Sequence, residues 1–98
     1  MEYRIIWLNK AVDELKDIRH YIETEEQAPE AAISLVTKIY VAANSLTTMP
    51  QRFQRDPDRP KYRRLVVIST YSIFYQIKKN VVYIAHIWNT ARDIKSMD

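Results

Sequence analysis

The sequence predicts an α+β domain: an N-terminal strand, an antiparallel helical hairpin, then a three-stranded antiparallel meander that completes a sheet. Three observations lead there. Residues 3–8 are rich in β-branched and aromatic residues, in a run too short for a helix. From Ala11 to Leu46 apolar residues recur at spacings of three and four. After Pro60, three short runs dense in Val, Ile, Tyr and Phe succeed one another. A chain of 98 residues suits one compact domain over 1–98, so its function must sit on a single core.

Tyr3 to Leu8 is the first strand, and Asn9 is placed to cap the helix after it. Ala11, Leu15, Ile18 and Ile22 make one narrow stripe along this first helix, with His20 on the opposite face. Glu23 to Ala28 is a polar break. Pro29 fits the first turn of a second helix, where its missing N–H would have no intrahelical partner. There Ala32, Leu35, Ile39, Ala42 and Leu46 repeat, and Ile33, Val36 and Ala43 widen the apolar surface enough to touch both the first helix and a sheet. Met49-Pro50 stops the helical run, and a loop with Pro57 and Pro60 leads to the strands Arg64 to Ser69, Tyr71 to Ile77 and Val81 to Trp88. Lys78-Lys79-Asn80 should close a hairpin, with Asn80 taking positive φ. Because the chain has no glycine, Asn and Asp are expected to supply the left-handed turn positions. The helices should cover one face of the sheet and leave the other open.

Composition narrows the chemistry. Without cysteine there is no disulfide, no thiolate nucleophile and no Cys-type zinc site. The start, with Glu2 and Arg4, is unlike a secretory signal, and charges interrupt every apolar run before it could span a bilayer. A cytoplasmic protein without membrane contact is expected. The net charge of +3 favours anionic partners. Its excess is local: Gln51 to Arg64 holds Arg52, Arg55, Arg59, Lys61, Arg63 and Arg64 against only Asp56 and Asp58. Such a segment is either an anion-binding surface or a solvated loop. Two distant histidines make no metal site and no phosphate loop is possible without glycine, so neither metal nor cofactor is expected.

Several segments in order resemble the ParE branch of the ParE/RelE toxin superfamily. They are Asn9-Lys10-Ala11-Val12-Asp13-Glu14-Leu15, Pro29-Glu30-Ala31-Ala32, Leu46 followed by Met49-Pro50, Tyr71-Ser72-Ile73-Phe74-Tyr75, and His86-Ile87-Trp88-Asn89-Thr90-Ala91-Arg92-Asp93. The likeness covers nearly the whole chain. It implies a toxin of a type II toxin–antitoxin system, of the plasmid-stabilising kind, held in a tight complex by a cognate antitoxin. ParE-like members poison DNA gyrase by binding it, whereas RelE-like members cut messenger RNA on the ribosome. The family's basic position entering the central sheet falls on Arg63 and Arg64, but the small residue before it is Tyr62 here.

Cleavage at a 2′-hydroxyl needs a base, a cation for the phosphorane and an acid for the leaving oxygen. The resemblance implies that a RelE-like enzyme would take these from basic residues and a C-terminal Tyr or His, and the tail Asp93 to Asp98 has neither. The expectation is therefore a non-enzymatic gyrase inhibitor with no catalytic residue. Its contacts to target or antitoxin would be Arg52, Arg55, Arg59, Lys61, Arg63, Arg64, Trp88 and Arg92. In the ribonuclease alternative, Arg63, Arg64, His86 and Arg92 would be catalytic, although a lone strand histidine is more often a structural hydrogen bonder.

Overall fold

The computed structural model describes residues 2–68 and 70–89. Strand β1 (Arg4–Trp7) leads into helices α1 (Asn9–Thr24) and α2 (Pro29–Asn44). Two 3-10 turns, Ser45–Thr47 and Pro50–Arg52, then precede β2 (Arg63–Ile68), β3 (Tyr71–Lys78) and β4 (Val81–Asn89). The meander β2-β3-β4 is antiparallel, and β1 joins it alongside β4 in parallel, giving the order β1-β4-β3-β2. The sheet is therefore mixed, because the helical hairpin between β1 and the meander returns the chain in the direction in which it set out.

Both helices lie on one face. Ala11, Leu15 and Ile22 from α1 and Ala32, Leu35, Ile39 and Ala43 from α2 are buried against Ile73, Tyr75, Val82, Ile84 and Ile87. Each large aliphatic side chain so buried contributes roughly 1.5–3 kcal/mol. Ile33 does not join them. It stays 61% exposed with Val41 at 65%, whereas Ala43 is buried and Val36 packs against the core, so the apolar width of α2 is divided between core and solvent.

One irregularity shapes the rest of the molecule. Tyr75 pairs with Ile84 but Phe74 pairs with His86, which leaves Ala85 as an extra residue on β4. The bulge reverses the alternation, so Ile84 and Ile87 both enter the core while His86 and Trp88 point away from the helices.

Three local expectations are corrected. Leu8, not Asn9, is the N-cap of α1 and gives no side-chain cap, because Asn9 is already helical. The left-handed positions fall on Gln27, Met49 and Lys79 instead of on Asn or Asp. At the hairpin, the Lys78–Val81 pair makes Lys79 the first central residue, and that position takes the positive φ. Finally, the face away from the helices is only partly open. Segment 53–62 folds back through Asp56 N–H to Tyr62 O (2.9 Å) and Arg64 N–H to Gln54 O (3.1 Å), and Tyr62 sits edge-on against Phe74.

Candidate functional site

Strand β1 accompanies β4 only as far as Ile84, whose carbonyl accepts the Leu8 N–H at 3.0 Å. Beyond that point the edge of β4 meets α1, and Glu14 acts as the missing strand partner: its Oε1 accepts the Ile87 N–H at 3.0 Å. The same carboxylate lies 3.1 Å from His86 Nδ1. His86 is 3% exposed and has Tyr62 and Trp88 edge-on at 5.5 and 6.5 Å. The imidazole is thereby fixed by Glu14 on one side and by aromatic rings around it.

Arg64, Phe74 and His86 are cross-strand neighbours in one row of that face. The Arg64 guanidinium is 5.6 Å from the Phe74 ring centroid, donates to Ser72 Oγ at 3.1 Å, and pairs with Asp56 Oδ1 at 3.4 Å. Asp56 is buried, and its Oδ2 accepts the N–H groups of Asp58 and Arg59 at 3.1 and 2.9 Å. Arg64 thus ties the basic loop to the sheet.

Arg63 faces the other way, on the side of Tyr75. It donates to the carbonyls of Gln51 (3.1 Å) and Phe53 (2.7 Å). Arg52 is likewise bound to the carbonyls of Thr48, Met49 and Ser45. The buried Tyr75 hydroxyl donates to Pro50 O at 2.6 Å. Burial pushes its pKa up to about 12, against the opposing pull of the Arg63 and Arg52 charges. At this end of the sheet opens a groove of about 350 Å³ lined by Gln51, Arg55, Lys61, Arg63, Tyr75, Gln76, Ile77 and Lys78. Among the described residues it holds four cations and no carboxylate. A second hollow, of about 470 Å³ between α1 and β4, has the opposite character, with Glu14, Asp17 and Glu26 against Lys10, beside Tyr21, Tyr71 and Trp88.

Residues 5–94 match the family described as the ParE toxin of type II toxin-antitoxin systems, parDE. The chain belongs to the ParE toxin family. Among solved structures, this ParE-family toxin is similar to the chromosomal ParDE toxin-antitoxin system from P. aeruginosa, with 24% identity and a TM-score of 0.75 over 90% of this chain and 96% of that one. It also shares a fold with YafQ from E. coli strain BL21(DE3), at 10% identity and TM-score 0.51 over 92% of this chain and 96% of that one. The E. coli DinJ-YafQ toxin-antitoxin complex gives 10% identity and TM-score 0.51, over 93% and 96%. No curated protein matches its sequence. No helix among the described residues is long and apolar enough to cross a membrane.

The ParE-family fold scatters the residues singled out from sequence. Arg52 and Arg63 are tethers to backbone carbonyls, and Arg55 donates to Pro60 O at 2.9 Å while lining the groove. Lys61 lies 5.0 Å over Tyr62, and Arg59 belongs to the turn held by Asp56. Trp88 is half-buried beside His86, and its Nε1 has no hydrogen-bond partner among the described residues. Arg92 lies outside the described residues. Of the ribonuclease set, Arg64 and His86 share a face, whereas Arg63 is on the opposite one. Glu14, Asp56 and Lys78 are site residues that the sequence reading misses. For Glu14 a signal exists, since it stands three residues after Ala11 and four before Ile18, on the apolar stripe.

Proposed function

We propose that this ParE-family toxin arrests growth by binding DNA gyrase in the cytoplasm, without metal, cofactor or catalysis. A cognate antitoxin neutralises it by covering apolar surface and laying an acidic segment over the Arg52 to Arg64 region. The observation that carries this reading is the separation of Arg63 from His86, with His86 Nδ1 already engaged by Glu14. A ribonuclease would need base, cation and acid around one phosphate. A groove whose charged residues, among those described, are all basic suits a docking partner better than a reacting one. The second reading, a ribosome-dependent messenger endoribonuclease, is favoured only by Arg64 and His86 sharing one row.

Expression of the chain under an inducible promoter separates the two. The proposal expects growth arrest that the antitoxin relieves, with no new 5′ ends in translated messages by primer extension. Cuts appearing within translated codons soon after induction would transfer the assignment to the ribonuclease reading.

A further inference from the structure

The basic groove contains a gap in the sheet. Strand β3 extends past the start of β2: Tyr75 pairs with Arg63, the first residue of β2, while Gln76, Ile77 and Lys78 continue with β4 alone. On the β2 side of these residues no strand lies alongside among the described residues. Antiparallel alternation says which groups face the gap. The Arg64 N–H turns outward to Gln54 O, so Arg63 and Tyr75 form the hydrogen-bonded pair and Tyr75 directs its N–H and carbonyl at β2. Two residues on, Ile77 directs the same groups to the same side, where no strand among the described residues receives them. The two-residue hairpin gives the same result from the other end, because Lys78 pairs with Val81 across β4.

We propose that this gap is a strand-addition site for an extended acidic peptide segment of a protein partner. One residue of the segment would exchange two backbone hydrogen bonds with Ile77, and carboxylates beside it would lie among Arg55, Lys61, Arg63 and Lys78. The inference rests on the reading of the groove as a partner's landing site and specifies how the partner lands. The backbone decides the chemistry of the occupant. A free N–H and C=O pair on a strand edge matches a peptide, which offers both acceptor and donor, whereas a phosphodiester offers no donor to the Ile77 carbonyl. Ile77 packs against the helix-side core, so the residue opposite it should be apolar and its neighbours acidic.

The test is backbone amide mapping on isotope-labelled full-length chain. It is titrated in turn with a capped peptide of alternating Glu and Val, with its Lys-for-Glu counterpart, and with a short oligothymidylate. The glutamate peptide is expected to slow hydrogen exchange at the Ile77 amide and to bind about tenfold or more weaker to the Lys61→Glu/Lys78→Glu variant. Either the absence of any change at Ile77 at saturating peptide, or equal binding of the lysine peptide, overturns the proposal. Protection of the same amide by the oligothymidylate at lower concentration would assign the groove to nucleic acid instead. An antitoxin that rescues growth while leaving Ile77 exchange unaltered would remove the strand-addition site and spare the toxin–antitoxin reading. Peptide binding by a chain that arrests no growth would do the reverse.

Discussion

Glu14 has a role that composition alone would not assign to a helix carboxylate. Its oxygens accept the Ile87 N–H and hold His86, a buried ring whose polar atoms would otherwise be costly. Replacing Glu14 by alanine is expected to destabilise the domain by roughly 3 kcal/mol in urea unfolding, because it removes the acceptor of a buried N–H and the carboxylate beside a buried imidazole together. Glu14→Gln keeps an acceptor and should cost clearly less, and equal losses for the two would refute the assigned role. Tyr75 permits a pH test. Its folded-state pKa is raised from 10.0 to about 12, so between those values the native state keeps a proton that the unfolded state has released. Its contribution is therefore fully present below pH 10 and lost as pH rises toward 12, with a slope of up to about 1.4 kcal/mol per pH unit. Tyr75→Phe should flatten the alkaline decline of stability relative to the parent chain. Superimposable slopes would show that the hydroxyl does not keep its proton in the fold.

At the scale of elements, the periodic segments were readable and the turns were not. The stripe Ala11, Leu15, Ile22 and the repeat Ala32, Leu35, Ile39 are buried where a 3.6-residue period puts them, since helix packing follows spacing directly. Turn dihedrals follow strand register, and register depends on partners far away in sequence. That is why the positive φ landed on Lys79 and not on Asn80. Lys79→Gly is thus expected to raise stability by roughly 0.5–1 kcal/mol, by removing the Cβ penalty of the left-handed conformation, and a loss would mean that the turn is not strained. The bulge at Ala85 was equally hidden, because the extra residue appears only when β4 is laid against β3. It decides that His86 leaves the core, so the candidate site could not be assembled from alternation alone. The basic segment was visible as charge, but its division into tethers (Arg52, Arg63), a loop anchor (Arg64) and groove residues (Arg55, Lys61) depends on which carbonyls and carboxylates are near.

Across the whole molecule, charge is divided between two hollows. The basic groove lies at the β2/β3 edge and the acidic hollow along α1 and β4, a polarity that orients an approaching partner more than it tightens the final complex. The outer side of α2 leaves Ile33 and Val41 exposed to solvent. Fold and family place the chain among ParE toxins, and the proposed inhibition by contact rests on the distribution of its cations. The decisive measurement is DNA supercoiling by purified gyrase with increasing amounts of the purified chain. The account predicts a dose-dependent loss of supercoiling with accumulation of cleaved DNA held by the enzyme, reversed by the antitoxin. Undiminished supercoiling and no cleaved DNA at large molar excess of folded chain would contradict it.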